Sequence, residues 1–220
     1  MRRLEALQHL VELTENRPVV VTCAATSREL ASIADRDNHL YLLDSMGLAG
    51  SVTTGLAMAV EEVLMKTSPP HGPRPQGWGL VGSDSFHENF APPVEKVIGI
   101  EGDGSLLMNP NVLPTGGFTR PRALLVLLDN RAYGSTAGLP TYTGSIDLGA
   151  MAEAAGWAVG RADDPATLRA EFTRLLALPG PCFLHARIEP GNAADIPKLL
   201  ADPVMLTHRF QRWLAAALGS

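Results

Sequence analysis

Six apolar residues follow one another without alternation in Ala123-Leu-Leu-Val-Leu-Leu128. A strand with one face in water alternates apolar and polar side chains. An unbroken run therefore predicts a strand buried on both faces, at the centre of a parallel sheet. Parallel neighbours need crossover connections, so helices should alternate with strands. The chain reads that way. Helix 2–16 precedes strand 18–23. Helix 27–34 follows, opened by Thr26-Ser27-Arg28-Glu29, a capping pattern. Strand 39–43 leads into a long helix over 47–66. Strand 97–100 and a short helix near 109–117 precede the central run. Helix 147–155, strand 157–161, helix 164–177 and strand 182–188 come next. An amphipathic helix over 203–218 carries Leu206, Phe210, Trp213, Leu214 and Ala217 on one side. The expected fold is α/β: a doubly wound parallel sheet flanked by helices, in a single domain spanning 1–220.

One stretch departs from this rhythm. Residues 67–95 are rich in Pro and Gly, have no period, and are longer than an ordinary connection. They are expected to form an insertion at the amino-terminal edge of the sheet, with His71, Asp84, His87 and Glu88 as loop residues. Trp78, Phe86 and Phe90 suggest that the insertion folds onto something such as a neighbouring subunit.

Bulk properties exclude some classes of function. The net charge is −5 and the pI about 5.7, and no basic stripe is visible, which argues against nucleic acid as a partner. No run approaches the eighteen apolar residues of a membrane span. The first seventeen residues lack the apolar core of a signal peptide and read as an amphipathic helix. The two cysteines, Cys23 and Cys182, read as buried thiols of a cytoplasmic protein.

The chemistry concentrates at two strand ends. A strand enters Gly102-Asp103-Gly104-Ser105, and the central strand ends in Asp129-Asn130. Gly-Asp-Gly also occurs in ordinary turns. Here, however, it would place a carboxylate and a carboxamide together at the carboxyl edge of the sheet, where open α/β folds bind ligands. Two hard oxygen donors beside approachable glycine backbone suit Mg²⁺ carrying a diphosphate.

With the following Tyr133-Gly134-Ser135-Thr136, this pattern resembles the thiamine-diphosphate signature. Thr26–Leu30, Asp44–Leu48 and Pro190–Ala193 extend the resemblance over nearly the whole chain outside 67–95. The resemblance is to the diphosphate-binding domain of thiamine-diphosphate-dependent 2-oxoacid decarboxylases. It is strongest to the sulfopyruvate and phosphonopyruvate decarboxylases, above all the separate β subunit of the former.

The resemblance implies roles residue by residue. Asp103, Asn130 and the carbonyl of Ala132 would bind Mg²⁺. Gly102, Gly104, Ser105, Tyr133 and Gly134 would lie along the diphosphate, although Tyr133 also reads as a core aromatic. In the turn Asp44-Ser45-Met46-Gly47, Ser45 would touch the cofactor and Met46 would prop it in a bent form, unless Met46 is plain core. The Asp44 carbonyl would accept a hydrogen bond from the pyrimidine amino group. Relatives usually carry Gly at that position, and they carry a polar residue where this chain has Leu139, so the substrate class is open. Thr136 and Thr141 are possible polar contacts at the substrate mouth, or turn formers. His185 and His208 read as core or surface residues.

The resemblance also implies a missing piece. The glutamate that activates the pyrimidine belongs to a separate domain, for which the residues ahead of Gly102 leave no room. A second chain is therefore expected to complete the site in a hetero-oligomer, and this chain alone should be inactive. The implied activity is decarboxylation of a small 3-substituted pyruvate to an aldehyde and CO₂. A carboligase subunit and a non-catalytic cofactor-holding subunit are the alternatives.

Overall fold

Burial on both faces is what the central run obtains. A computed structural model describes residues 1–67 and 96–219. The strands are β1 (Val19–Val21), β2 (His39–Tyr41), β3 (Val97–Gly102), β4 (Ala123–Asp129), β5 (Ala132–Tyr133), β6 (Leu139–Pro140), β7 (Ala158–Ala162) and β8 (Cys182–Arg187). The main sheet runs β2-β1-β3-β4-β8-β7, and every neighbouring pair is parallel. All seven residues of β4 are buried.

The helices are α1 (Arg3–Leu13), α2 (Ala25–Ile33), α3 (Ala49–Thr67), α4 (Asp103–Leu106), α5 (Val112–Thr119), α6 (Leu148–Ala154), α7 (Pro165–Ala177) and α8 (Pro203–Ala217). They cover both faces of the sheet. Leu124, Val126 and Leu128 of β4 pack with Leu7, Leu10, Leu30, Leu168 and Phe172 from α1, α2 and α7. Leu125 and Leu127 point the other way, onto Val112 and Leu113 of α5, Leu148 of α6, and Trp157. Each such side chain contributes about 1.5–3 kcal/mol by leaving water. The doubly wound single domain is thus the observed architecture.

Helix starts follow local chemistry. Asp147, Asp164 and Asp202 cap α6, α7 and α8 by accepting backbone N–H bonds, and Pro165 and Pro203 sit in the first turns. The capping pattern expected at Thr26–Glu29 is not used. Helix α2 starts at Ala25 after Ala24, whose φ is 65°, and makes no side-chain cap. Ser27 instead donates back to the Thr22 carbonyl, and Glu29 pairs with Arg3. The short helix expected near 109–117 is α5, set slightly later at Val112–Thr119; the one-turn helix α4 precedes it, and the hairpin β5–β6 is additional. The insertion residues His71, Trp78, Asp84, Phe86, His87, Glu88 and Phe90 lie outside the described residues.

The strand order reverses between β1 and β3. The chain leaves β1 for β2 on one side, and the crossovers from β3 and β4 go to the other. Such a switch point opens a crevice at the carboxyl ends of the strands. Among the described residues, no helix is long and apolar enough to cross a membrane.

Candidate functional site

An open cleft lies at that crevice. Four strand ends supply its walls: residues 22–26 after β1, Met46 after β2, 102–105 after β3, and 128–136 around β4 and β5. Of the residues singled out by sequence, Met46, Gly102, Asp103, Gly104, Ser105, Asn130, Ala132, Tyr133 and Gly134 all line it. Asp44 and Ser45 do not. Asp44 has φ 57°, a left-handed conformation in which glycine and aspartate are the easy residues. An aspartate can therefore stand where the resemblance implies glycine. The Ser45 hydroxyl faces its own chain, donating to the Leu43 carbonyl at 3.3 Å.

The two side chains expected on the metal side are buried. Asp103 is 2% exposed and Asn130 4%. Thr141 donates to Asp103 Oδ2 at 2.6 Å, with Thr143 3.4 Å from the same oxygen. Asn130 Oδ1 accepts from the Ala132 N–H at 3.0 Å, and its second lone pair remains for another partner. Burial pushes the Asp103 carboxyl up, and the nearby Asp129 charge adds to this. Hydrogen bonds from Thr141 and the Gly104 and Asn130 backbone oppose it. A group that costs energy when ionised in a buried place is one that a cation relieves.

Asp129 goes the other way. Burial alone would raise its carboxyl, but hydrogen bonds from His185 and Thr143, the His185 charge and the Arg131 N–H outweigh burial and hold it low. His185 Nε2 lies 2.8 Å from Asp129 Oδ2, and Thr143 donates to Asp129 Oδ1 at 2.9 Å. His185, on β8, is thus a core residue, yet it is bonded to the motif itself.

The diphosphate-side residues have equally specific surroundings. The Tyr133 ring lies over Gly104, so closely that a Cβ at Gly104 would come within 2.6 Å of it. The Ser105 hydroxyl accepts the Gly47 N–H at 2.8 Å and lies 3.0 Å from Thr22 Oγ1. Asn109 donates to the Gly47 carbonyl and to Ser51. The Gly50 N–H reaches the buried Glu101 carboxylate. These contacts fix the turn that presents Met46. On the far wall, Arg3 grips Glu29 through two nitrogens and also reaches Asn192, whose amide donates to the Gly134 carbonyl.

Some of these residues escaped sequence reasoning. Thr22–Thr26 read as a strand end and a helix cap, and Arg3 as the start of an amphipathic helix. The one available signal was that Thr22–Thr26 also follow a parallel strand. Thr141 is corrected from the substrate mouth to the interior, at 6% exposure, and Thr136 caps the Tyr133 carbonyl.

The donor set fits a magnesium–diphosphate group. Among the described residues, no cluster of three or more His, Cys, Asp or Glu could hold a metal by itself. One carboxylate, one carboxamide oxygen and nearby backbone are the incomplete oxygen set that Mg²⁺ uses together with phosphate oxygens. Glycine at 104 lets the Tyr133 ring close onto the backbone there, and both residues line the cleft.

Comparison with known proteins agrees. The model of the C-terminal TPP binding domain of thiamine pyrophosphate enzymes matches residues 77–186. The chain is 35% identical to sulfopyruvate decarboxylase subunit beta of Methanothermobacter thermautotrophicus, over 96% of this chain and 94% of that one. It is 31% identical to the same subunit of Methanococcus maripaludis, over 96% of each. It is 33% identical to phosphonopyruvate decarboxylase of Streptomyces hygroscopicus, over 99% of this chain but only 48% of the longer relative. A solved structure from Mycobacterium smegmatis, assigned as thiamin diphosphate-dependent, matches with a TM-score of 0.63 at 16% identity. It covers 86% of this chain and 32% of that one, a likeness of fold.

Proposed function

This chain belongs to the thiamine pyrophosphate enzyme family, and we propose that it is the diphosphate-holding subunit of a decarboxylase acting on a small 3-substituted pyruvate, sulfopyruvate- or phosphonopyruvate-like. One observation carries the reading. Asp103, Gly104, Asn130, Ala132 and Tyr133 line one cleft at the switch point of the sheet.

When bound, thiamine diphosphate would supply a nucleophilic carbon toward the 2-oxo group and a ring able to take up the electron pair released with CO₂. The residues of this chain bind and orient it. Asp103, Asn130 and the Ala132 carbonyl would hold Mg²⁺. Gly104, Ser105, Tyr133 and Gly134 would flank the diphosphate. Met46, braced by the Gly47 contacts to Ser105 and Asn109, would support the bend between the two rings. The Asp44 carbonyl would receive the pyrimidine amino group. Burial of Asp103 and Asn130 keeps water from competing for the ion.

No glutamate lines the cleft among the described residues. The activating carboxylate would come from a second, pyrimidine-binding chain, as the subunit names of the relatives suggest. The whole would be a hetero-oligomer, and this chain alone would be inactive. The test is co-expression with that chain, followed by incubation with Mg²⁺, thiamine diphosphate and 3-sulfopyruvate or 3-phosphonopyruvate. Release of CO₂ and the matching aldehyde is expected. An acyloin would assign carboligation instead, and no turnover of either acid by a cofactor-loaded complex would leave only a cofactor-holding role.

A further inference from the structure

A chain of polar side chains runs from the metal end of the cleft to the far edge of the sheet. Thr141 Oγ1 lies 2.6 Å from Asp103 Oδ2 and 2.9 Å from Thr143 Oγ1. Thr143 Oγ1 lies 2.9 Å from Asp129 Oδ1, and Asp129 Oδ2 lies 2.8 Å from His185 Nε2. The other ring nitrogen of His185 faces Asp147 at 3.5 Å, and Arg161 holds Asp147 at 3.2 Å. Asp103, Asp129, Thr141, Thr143 and His185 are all at most 6% exposed.

The protons in this chain can be counted. Each threonine hydroxyl has one to give, and a carboxylate has none. Two buried carboxylates therefore compete for two hydroxyl protons. Thr141 must spend its proton on Asp103 to keep that carboxylate oriented. Thr143 lies within reach of both acids and of Thr141. Asp129 wants at least two donors, and the Arg131 N–H supplies one, at 3.1 Å. His185 Nε2–H is the other donor that does not come from a threonine. Without it, the Asp129 carboxylate would lose one of its anchors, and Thr143, which donates to Asp129 Oδ1 and lies 2.9 Å from Thr141, would loosen with it.

We propose that His185 is a positioning residue for the metal end of the cleft, its Nε2–H anchoring Asp129 so that Thr143, donating to Asp129 Oδ1, and Thr141, donating to Asp103 Oδ2, stay in place and Oδ1 of Asp103 is presented to the ion. This rests on the magnesium–diphosphate reading above. Partners behind ligating carboxylates commonly change metal affinity 10–100-fold when removed. The competing account is that His185 merely packs, edge-on, against Phe183 at 6.4 Å.

Two substitutions separate these accounts. His185→Phe keeps an aromatic ring and loses the donor. His185→Gln loses the ring and keeps an N–H near the Nε2 position. Mn²⁺ is titrated into the full chain with its partner subunit and thiamine diphosphate, and the bound ion is followed by electron paramagnetic resonance. Thermal unfolding without metal is recorded in parallel. His185→Phe should raise the half-saturating Mn²⁺ concentration about 10–100-fold, and His185→Gln should recover most of the affinity. If H185F binds Mn²⁺ like wild type, or if H185Q loses as much as H185F, the proposal is overturned. Should H185F fail to fold, Thr143→Val interrupts the same chain nearer the metal, and wild-type affinity there overturns it equally. Failure of the underlying reading looks different: wild type itself, or Asp103→Ala alongside it, would then show no cofactor-dependent Mn²⁺ signal to lose.

Discussion

The two halves of the cleft are built on opposite principles. At the Asp103 end, Asp103, Ser105, Asp129, Asn130, Thr141 and Thr143 are polar, buried, and bonded to one another or to backbone. At the Met46 end, the neighbouring side chains are apolar and open: Met46 is 37% exposed, Leu48 43% and Met108 57%. Charge needs a rigid, satisfied shell, because an unpartnered polar group in a dry place is costly. A flat aromatic ring needs only apolar contact, and a neighbouring chain can provide half of it. On the proposed reading, the contrast teaches that this chain finishes the site where the ion would sit and leaves it open where the ring would lie. Exposed apolar clusters of this kind mark surfaces meant to be covered.

The contrast can be broken, beginning with the largest expected effect. Asp103→Ala should abolish Mg²⁺-dependent uptake of thiamine diphosphate by the assembled complex, read by calorimetry. Undiminished uptake would remove the metal assignment and dissolve the distinction between the halves. Thr141→Val takes away the hydroxyl on Asp103 and should weaken Mg²⁺ affinity about 10–100-fold. If it did not, the buried shell would be packing alone. Gly104→Ala places a methyl against the Tyr133 ring and should cost about 1–3 kcal/mol in cofactor affinity or stability, measured by titration and by thermal unfolding. Met46→Gly should leave affinity nearly intact yet slow exchange of the thiazolium C2 proton, about tenfold if roughly 1.4 kcal/mol of orientation is lost. Wild-type exchange would show Met46 to be filler, and a lost affinity would make the two halves alike.

A last test lies away from the cleft and sets the background against which the others are read. His39 is fully buried, and burial first, with the Arg36 charge second, lowers its pKa to about 4 from 6.5. Above pH 6.5 the ring is neutral in both states. Between pH 6.5 and 4 only the unfolded chain takes up the proton, so stability falls as pH falls, by about 3 kcal/mol in all. Replacing His39 with Phe should flatten denaturation midpoints across that window. An unchanged slope would place the acid sensitivity elsewhere.

Legibility from the sequence followed the length scale of each feature. The unalternating Ala123–Leu128 run announced a central strand, because burial on both faces acts on every residue of it. Asp103 and Asn130 were legible because each ends such a strand. The hairpin β5–β6 was not, since two-residue strands carry no period and only the pairing of Ala132 with Pro140 and Tyr133 with Leu139 defines them. That hairpin is what turns Thr141 inward, so its contact with Asp103 was hidden as well. His185 and Arg3 lie 82 residues after and 100 residues before Asp103 in the chain. Their partners are set by strand order, which local pattern does not carry.

The same hairpin divides its own loop. Its base is pinned, with the Thr141 N–H on the Arg131 carbonyl at 3.0 Å. Its tip is not: Gly138, at φ 71°, has nothing within 4 Å of where a Cβ would stand. Residues can thus be added or exchanged between 136 and 138 while the metal wall stays as it is. For an engineer working from the proposed reading, this is where longer or bulkier acids would be admitted, because the choice of guest would there be uncoupled from retention of the vitamin.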